Sequence, residues 1–418
     1  MGSSNQINWK RLSLGDIATL QRGHDLPDAK RKAGNIPIMG SFGITGTHST
    51  AKAKGPGVTI GRSGGSIGVV SYIESDYWPL NTCLYVKDFH GNNPLYIYYL
   101  LKTLDLASLN SGSAQPSLNR NFVHPIPINV PEPDEQDQIV NLLSILDNKI
   151  SLNHQINETL EAVAQALFKS WFVDFDLVKA KAEGCKPEGV NDEIISLFPS
   201  TFIDSPLGAI PEGWKVLPLI KCSSALRRGI SPCYVENGGT RVINQKCVRN
   251  GQIDFKLTRR HNDAKKPIKD RLLESGDILI NSTGVGTLGR VAQLWYIDEP
   301  TTFDSHVTIV RANQENISPV FLGLELLRKE AKIESLGEGS TGQTELSREI
   351  LGNLLVAAPP IKIQKYFAKV LLPIIDKVTQ NQLQSITLSN LRGLLLPRLI
   401  SGKLRVDEIS ETVEALAL

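Results

Sequence analysis

Cysteine is scarce in this sequence of 418 residues: five are present, at positions 83, 185, 222, 233 and 247, and no two form a Cys-x-x-Cys pair. An odd, dispersed set argues against a disulfide framework and a zinc site, and it fits a reducing compartment. Long apolar runs are also missing, because Asp147 and Lys149 interrupt the best candidate for a stretch of the roughly 18 residues that cross a membrane. Residues 1–10 lack the apolar core of a signal peptide. We therefore expect a cytoplasmic protein with no membrane partner.

A strong net charge is missing as well, since 45 Lys and Arg face 43 Asp and Glu for a formal charge of +2. The distribution is more informative than the total. Residues 10–62 contain nine basic and three acidic residues, and residues 221–271 contain thirteen and four. One such run is often only a solvated face, but two at equivalent places in a repeated chain favour contacts to phosphates.

Catalytic motifs are not apparent. The nearest approach to the Asn/Asp-Pro-Pro-aromatic motif of an amino-methyltransferase is Asn93-Pro94-Leu95-Tyr96, which more plausibly opens a helix. The glycine-rich run 62–68 lacks the Lys-Ser/Thr ending of a phosphate-binding loop, so its glycines are expected to form a tight turn between strands. The seven histidines occur singly, without metal-ligand spacing. We expect no catalytic residue, no metal site and no cofactor in this chain.

The sequence repeats itself. Five short patterns of the first half return in the same order in the second, which indicates a duplication. They are Trp9-Lys10-x-Leu12-x-Leu14 and Trp214-Lys215-x-Leu217-x-Leu219, Leu20-Gln21-Arg22-Gly23 and Leu226-Arg227-Arg228-Gly229, Gly65-Ser66-Ile67-Gly68 and Gly286-Thr287-Leu288-Gly289, Ser111 to Gln115 and Glu338 to Gln343, and Pro131/Pro133/Gln136 and Pro359/Pro360/Gln364. The offset between the copies grows from 205 at Trp9/Trp214 to 221 at Gly65/Gly286, so the second half has gained residues before its glycine-rich turn.

Each half has the pattern of an α/β unit with a mixed sheet. Short β-rich runs at 57–60, 68–73, 277–280 and 306–311 alternate with Gly, Ser and Asn turns. Helices are expected at 94–106 and 319–336, each with a proline near its start. Outside the five repeated patterns, the sequences of the two halves are barely similar. One scaffold is therefore expected to carry two different surfaces.

A long amphipathic helix is predicted to follow each half, at about 134–174 and after Pro360. Polar residues lie midway in both, at Lys149 and Asn153 and at 379–384, which favours antiparallel pairing of one polar centre with the other. Pro373 is expected to bend or break the second helix. The predicted pairing or subunit-interface residues are Ile139, Leu142, Leu146, Asn153, Ile156, Leu160, Val163, Leu167, Phe367, Leu371, Ile374 and Val378.

Candidate DNA-binding residues are the cationic and amide or hydroxyl side chains that suit phosphates and base edges. In the first half they are Arg22, His24, Lys30, Arg31, Lys32, Lys52, Lys54, Arg62 and Ser63. In the second half they are Arg227, Arg228, Arg241, Asn244, Lys246, Lys256, Arg259, Arg260, Lys265, Lys266, Asn281 and Ser282.

The ordered set of motifs resembles the specificity subunit of type I restriction–modification systems over nearly the whole chain. The runs that carry the resemblance are Trp9-Lys10 with 14–17, 276–280, 112–117, Leu167-Phe168-Lys169-Ser170-Trp171-Phe172-Val173-Asp174-Phe175 and Leu395-Leu396-Pro397-Arg398-Leu399-Ile400-Ser401-Gly402-Lys403-Leu404. Two departures concern local turns: Gly57-Val58-Thr59-Ile60 stands where the second half has Gly276-Asp277-Ile278-Leu279, and Thr344 stands where the first half has a proline.

The resemblance implies tandem α/β (α+β) target recognition domains, separated by long antiparallel coiled-coil-like helices in an internal pseudo-twofold repeat. The expected boundaries are 1–133 and 205–360 for the recognition domains, 134–180 and 361–405 for the helical regions, 181–204 for a linker and 406–418 for a tail. Each domain would read one half of a bipartite asymmetric target in double-stranded DNA. Two methyltransferase subunits would dock on the helices, and restriction (translocase) subunits would join them. S-adenosylmethionine, ATP and magnesium would belong to those partners. The resemblance also implies a bacterial or archaeal cytoplasm.

Two other hypotheses remain open at this point. One is an enzyme with its own methyltransferase or nuclease activity, which would require a spatial catalytic cluster that linear order does not reveal. The other is a coiled-coil scaffold that binds only proteins, against which the basic and diverged domain surfaces argue.

Overall fold

The structure, a computed structural model, describes residues 9–109, 117–185, 187, 190–339 and 344–417. It divides into two units, one of residues 1–153 and 383–418 and one of residues 154–382. The repeated patterns that begin at Ser111 and Glu338 fall largely outside the described residues.

The first unit contains a four-stranded antiparallel sheet, a three-stranded mixed sheet and a two-stranded sheet, with a short helix on the main sheet and long helices beside it. Its strands are β1 (Lys10–Ser13), β2 (Thr19–Arg22), β3 (Ile36–Gly40), β4 (Gly43–His48), β5 (Gly57–Gly61), β6 (Val70–Ile73), β7 (Trp78–Pro79), β8 (Cys83–Asp88) and β9 (Pro127–Val130). Its helices are α1 (Leu14–Ile17), α2 (Pro94–Thr103), α3 (Arg120–Val123) and the first part of α4 (Pro133–Phe172). The main sheet has the order β2-β8-β5-β6, and a smaller sheet has the order β4-β3-β7, in which β3 and β7 are parallel.

The second unit repeats this plan with an insertion. Its helices are α5 (Asp176–Ala182), α6 (Asp192–Leu197), α7 (Leu219–Cys222), α8 (Pro319–Arg328), α9 (Glu330–Glu334), α10 (Arg348–Gly352) and the first part of α11 (Ile361–Ile400). Its strands are β10 (Phe202–Ile203), β11 (Ile210–Pro211), β12 (Lys215–Pro218), β13 (Ser223–Arg228), β14 (Tyr234–Val235), β15 (Thr240–Ile243), β16 (Val248–Arg249), β17 (Gln252–Ile253), β18 (Arg259–His261), β19 (Ile278–Asn281), β20 (Val291–Gln293), β21 (Thr301–Phe303), β22 (Val307–Ala312) and β23 (Leu355–Ala358). A last helix, α12 (Ser410–Ala417), belongs to the first unit.

The sheets of the second unit match those of the first. The main sheet has the order β13-β22-β19-β20, and the second has the order β14-β18-β15-β21 with β15 and β21 parallel. The inserted residues before the glycine-rich turn include the hairpin β16–β17 between β15 and β18. The duplication and the mixed sheets predicted from the sequence are therefore confirmed, and the predicted linker 181–204 contains α6 and β10.

A buried glutamine ties each long helix to the start of a domain helix. Gln136 in the first turn of α4 accepts a hydrogen bond from the backbone N–H of Asn93 (3.1 Å), the N-cap of α2, and donates to the Pro131 carbonyl (3.1 Å). Gln364 in α11 accepts from the N–H of Ser318 (2.8 Å), the N-cap of α8, and donates to the Pro359 carbonyl (2.6 Å). Both glutamines are fully buried. The repeated pattern of a proline followed five positions later by a glutamine is thus a structural clamp.

In the first unit, the initial part of α4 packs antiparallel to the final part of α11. Asp147 accepts a hydrogen bond from the Tyr99 hydroxyl (2.6 Å) and forms an ion pair with Arg392. Six residues further along α4, the Asn153 amide donates to Gln384 (2.9 Å) and Ser385 (3.3 Å). Because the partner number falls as the α4 number rises, the two helices run in opposite directions.

In the second unit the remaining parts of the same helices also pair antiparallel. The Asn381 amide donates to Asn157 (2.8 Å), whose own amide donates to the Val378 carbonyl (3.2 Å). Further along, Phe168 and Phe367 meet with ring centroids 5.9 Å apart. The predicted pairing of polar centre with polar centre is confirmed within each unit, and buried asparagines of this kind fix helix register.

The pairing seam lies partly off the predicted positions. Beyond Asn153 it runs through Asn157, Ala164 and Phe168, whereas Val163 is 43% exposed. A 3.6-residue helix drifts against a 3.5-residue repeat, so a series extrapolated past the polar centre leaves the interface. The predicted residues that are buried are Ile139, Leu142, Leu146, Asn153, Phe367 and Leu371, and the half-buried ones are Ile156, Leu160, Leu167, Ile374 and Val378.

Pro373 does not break α11, which continues from Ile361 to Ile400. The proline removes one backbone hydrogen bond, normally made to the carbonyl of Lys369. Both residues are exposed, so water can satisfy that carbonyl. Of the two predicted effects, the break is therefore wrong, and the bend stays a prediction.

Truncation of Phe367 should destabilise the second unit, because its ring is fully buried against Trp171 (5.3 Å) and Phe172 (4.7 Å). We expect Phe367→Ala to lower the free energy of unfolding by about 3–5 kcal/mol. Urea denaturation followed by tryptophan fluorescence measures this. Leu372→Ala on the same helix is the control, since Leu372 is 41% exposed. Equal losses in the two variants would contradict this packing.

Candidate nucleic-acid interface

An open cleft of about 690 Å³ lies in the first unit, where β2 and β5 end and β8 begins. Antiparallel order brings these strand ends together, and the N-terminus of α3 closes the remaining side. Its lining residues are Gln21, Arg22, Gly23, His24, Asp25, Arg62, Leu84, Leu118, Asn119 and Arg120. We call this feature the first-unit cleft.

Three arginines give the first-unit cleft its positive charge. Arg62 follows β5 and donates from Nη1 to the Asn81 carbonyl (3.3 Å), while Arg120 begins α3 and donates from Nη1 to the Leu20 carbonyl (3.4 Å). The Arg22 side chain is 57% exposed, and its Nη2 lies 4.0 Å from Asp25, the acidic residue of the lining. A guanidinium has five N–H donors, so each arginine has further donors for a phosphate or a base edge.

His24 lines the same cleft and packs against aromatic rings. Its ring centroid lies 5.9 Å from that of Tyr85 and 6.3 Å from that of Trp78. The structure therefore brings together three predicted residues: Arg22, His24 and Arg62. Ser63 lies next to the cleft and forms an isolated antiparallel β-bridge with Ser117.

The other basic candidates of the first unit lie outside the lining of this cleft. Arg31 forms an ion pair with Asp28 (2.8 Å), and the Lys52 ammonium lies 5.5 Å from the centroid of the Trp78 ring. The remaining candidates are exposed: Lys30, Lys32 and Lys54.

The cleft lining also contains Gln21, Asn119 and Arg120, which were not among the candidates predicted from the sequence. A repeated pattern could have revealed the last two, because Leu118-Asn119-Arg120 recurs as Leu346-Ser347-Arg348. Asn119 and Ser347 each form the N-cap of a short helix, so the arginine after each cap has the same place in its unit.

The equivalent place in the second unit is built from different side chains. The N–H of Leu118 donates to the Arg62 carbonyl, and the N–H of Leu346 donates to the Ser282 carbonyl, both at 2.8 Å. Ser282 therefore occupies the place of Arg62. The N–H of Ile230 donates to the Phe303 carbonyl, and the N–H of His24 donates to the Pro79 carbonyl. By the same reasoning, Ile230 occupies the place of His24.

Arg228, the counterpart of Arg22, is engaged inside its own unit. It forms an ion pair with Glu345 (2.5 Å) and donates to the Leu346 carbonyl (2.9 Å). Only 24% of its side chain is exposed, against 57% for Arg22. The two units thus present different charges on the same scaffold.

Much of the basic run 221–271 is neutralised locally. Arg227 pairs with Asp270, Arg241 with Asp298 and Glu299, and Arg260 with Glu299 through two hydrogen bonds of 2.6 and 2.9 Å. The Arg241 hydrogen bond lowers the pKa of Asp298, and the Arg260 hydrogen bonds lower the pKa of Glu299. These three arginines are ion-paired within the second unit. The count of basic and acidic residues in the sequence, by contrast, treats each of them as an unpaired charge.

Three polar candidates of the second unit are buried. Asn244 donates to the Leu257 carbonyl (3.0 Å), and Asn281 donates to the Gln245 carbonyl (2.9 Å). The Ser282 hydroxyl lies 2.5 Å from that of Thr308. These hydrogen bonds connect the ends of β15 and β19 to neighbouring segments, and burial leaves little of the three side chains exposed.

The exposed DNA-binding candidates of the second unit lie between β15 and β19. Arg259 stacks on Tyr234, with 3.3 Å between the guanidinium carbon and the ring centroid, and Lys266 donates to the Ser231 carbonyl (2.7 Å). The other exposed candidates are Lys246, Lys256 and Lys265, and Arg348 of α10 is exposed as well.

Across the described ranges, no group of three or more His, Cys, Asp or Glu residues is placed to hold a metal ion. Among the described helices, none is both long and apolar enough to cross a bilayer.

Two equivalent α+β units with unlike, arginine-bearing surfaces define a tandem nucleic-acid recognition protein. The family model "Type I restriction modification DNA specificity domain" matches residues 6–162 and 221–388, so the chain belongs to that family. It is a DNA specificity subunit with tandem target recognition domains, and its role in the system is non-catalytic. The resemblance inferred from the sequence, the fold class and this function are confirmed.

Relatives and a solved structure agree with this assignment. The chain is 27% identical over 329 residues to the type I restriction enzyme MjaIX specificity subunit of Methanocaldococcus jannaschii, covering 75% of this chain and 70% of that one. It is 24% identical over 347 residues to the HindI specificity subunit of Haemophilus influenzae, covering 72% and 73%. A crystal structure of a type I restriction–modification S subunit from M. genitalium has a TM-score of 0.60 at 16% identity, covering 96% and 98%, and supports the fold.

His124 links the first-unit cleft to pH. Its Nε2 accepts a hydrogen bond from the Leu20 N–H (2.9 Å), which requires a neutral ring, and burial together with the Arg120 charge lowers the pKa of His124. A lowered folded-state pKa contributes stability that is present above the unfolded pKa of about 6.5 and is lost as pH falls below it.

We therefore expect the native chain to lose more stability than His124→Gln between about pH 7.5 and about pH 5.5. The glutamine side chain offers an acceptor that does not titrate. Urea midpoints at both pH values for the two proteins measure the difference. Parallel losses would show that His124 does not couple the fold to pH.

Proposed function

We propose that each unit reads one half of a bipartite, asymmetric target in double-stranded DNA. The observation that carries this proposal is the first-unit cleft, whose counterpart in the second unit has Ser282 for Arg62, Ile230 for His24 and an ion-paired Arg228. Two readers with the same chemistry would select a repeated sequence. Unlike readers select two different half-sites.

In the first half-site, the arginines of the cleft position the phosphates and the amides read bases. Guanidinium groups bind phosphate oxygens and guanine edges, whereas Gln and Asn side chains match adenine edges. Arg22, Arg62 and Arg120 supply the first chemistry, and Gln21 and Asn119 supply the second. This division separates affinity, which depends on salt, from sequence selection.

In the second half-site, the contacts come from exposed cations between β15 and β19 and from Arg348. Arg259, Lys246, Lys256 and Lys265 are exposed there. In this proposal, the arginines that are paired with Asp270, Asp298 and Glu299 do not contact DNA.

The paired helices α4 and α11 set the distance between the half-sites. Each has 40 residues, a length of about 60 Å at 1.5 Å per residue. The buried asparagine contacts at Asn153 and Asn157 fix their register. In this proposal the recognition domains span 1–133 and 205–360, and the helical regions span 134–180 and 361–405.

Two methyltransferase subunits dock on these helices, and restriction subunits join that core. Exposed apolar side chains on the helices suit a protein surface: Leu152 (47%), Val163 (43%), Leu372 (41%), Ile386 (38%) and Leu394 (69%). The partners supply S-adenosylmethionine, ATP and magnesium chemistry.

Loss of Arg62 and Arg120 should weaken DNA binding and flatten its salt dependence. Each phosphate contact removed lowers the slope of log K against log salt by about 0.9, so the double Arg62→Ala/Arg120→Ala variant should lose up to about 1.8. Fluorescence anisotropy with duplex DNA over a salt series measures this. Arg241→Ala is the control, because its guanidinium is held by Asp298 and Glu299. An unchanged slope in the double variant removes the cleft from the DNA footprint.

Exchange of one reader should change one half-site. We expect a chain whose residues 205–355 come from another specificity subunit to keep the first half of the target and acquire a new second half. Mapping of methylated adenines in cells that carry the native or the grafted chain measures both halves. A change in both halves would refute independent reading by two domains.

A further inference from the structure

The tip of the β3–β4 hairpin exposes two large apolar side chains. Phe42 is 73% exposed and Ile44 is 63% exposed. Gly40 pairs with Gly43, so the turn consists of Ser41 and Phe42 alone. Turns of this size favour polar residues or glycine, and a phenyl ring directed into solvent contributes nothing to the core.

Two glycines shape the hairpin tip. Gly43 has φ +109°, which disfavours a side chain, and a Cβ on Gly40 would lie 2.6 Å from the Thr45 methyl carbon. Glycine therefore suits both positions, and Phe42 lies at the apex of a short, tight hairpin.

The tip lies against the strand end that presents Arg62. The Ser41 hydroxyl donates to the Thr82 carbonyl (2.9 Å), and the same carbonyl accepts from the Arg62 N–H (2.9 Å). A Cβ on Gly61 would lie 2.6 Å from the Ser41 carbonyl oxygen. Ser41 directly precedes Phe42, and Gly61 directly precedes Arg62. The residues just before Phe42 and Arg62 are thus in direct contact.

An apolar apex beside a cationic cleft suits a partner that is both anionic and apolar. Duplex DNA has this combination, because phosphates line its backbone and base faces and thymine methyl groups are apolar. A lipid surface or a protein partner could also cover an apolar tip. The adjoining arginines and the membership of the DNA specificity family favour DNA.

We propose that Phe42, supported by Ile44, makes an apolar contact with the bases of the first half-site, beside the phosphates held by Arg62. This inference rests on the proposed function of the first-unit cleft. It assigns sequence selection to a hairpin that carries no charge at its tip. The second unit has an inserted segment with β16 and β17 between β15 and β18, so the contact belongs to the first reader alone.

The test uses the full-length chain assembled with its modification subunits and a pool of random-sequence duplexes, followed by the duplex that the native complex enriches. We expect Phe42→Ala to weaken binding roughly tenfold, the size of one base–aromatic contact, with an unchanged salt slope. The selected sequence should relax in the first half-site only. Phe42→Trp should keep both affinity and sequence. Leu207→Ala, which truncates an exposed apolar residue of the second unit, is the matched control.

Two probes identify the base atoms. A rise in 2-aminopurine fluorescence on binding that is absent in Phe42→Ala indicates that Phe42 opens a base step and unstacks its bases. An affinity loss on replacing one thymine by deoxyuracil, absent in Phe42→Ala, indicates contact with a methyl group. Either result supports the proposal.

Other outcomes overturn it. Phe42→Ala and Leu207→Ala with equal affinity and equal selected sequence would exclude a base contact. Loss of the modification subunits from Phe42→Ala with an unchanged selected sequence would assign the tip to a protein partner, and loss of binding to anionic vesicles would assign it to lipid. An Arg62→Ala variant with native DNA binding would instead refute the cleft, which separates failure of the proposed function from failure of this inference.

Discussion

One buried amide at the start of each long helix holds the recognition domains in their orientation to those helices. Gln136 and Gln364 each join a domain helix N-cap to the proline-containing turn that precedes the long helix. An unsatisfied buried amide is costly, so loss of either side of the clamp leaves polar groups without partners in a closed site. The helix pair and the sheets of each unit can therefore be regarded as one rigid arrangement within that unit.

The strands, the domain helices and the duplication could be predicted from the sequence, because they depend on local patterns. Apolar runs bounded by Gly, Ser or Asn turns correspond to β5, β6, β19 and β22, and prolines mark the starts of α2 and α8. The site was only partly predictable. A count of Lys and Arg cannot tell Arg22, which is largely exposed, from Arg241, which two acidic residues about 57 positions later neutralise. Those partners are distant in sequence and adjacent only in the folded sheet.

Burial is the second property that residue type alone does not reveal. Asn244, Asn281 and Ser282 have the residue types of a base-reading surface, yet they fasten strand ends to loops inside the second unit. Past the polar centre, the buried positions of α4 lie one residue later than predicted for a related reason. Asn157 is hydrogen-bonded to Asn381 and Val378, and Ala164 and Phe168 lie in the interface with it. In both cases a tertiary hydrogen bond decided what residue type alone left open.

The insertion in the second unit has a consequence for how such proteins diversify. Gln252 of the inserted hairpin donates to Glu161 of α4 (2.6 Å), a half-buried carboxyl whose pKa is raised by desolvation. Recombination that replaces the second domain but retains α4 inherits Glu161 without its amide donor. Domain shuffling is then constrained by a residue on the connecting helix, and a compatible incoming domain has to carry a donor at that position. The first domain has no such inserted hairpin among its described residues, so natural exchange should be less restricted on that side.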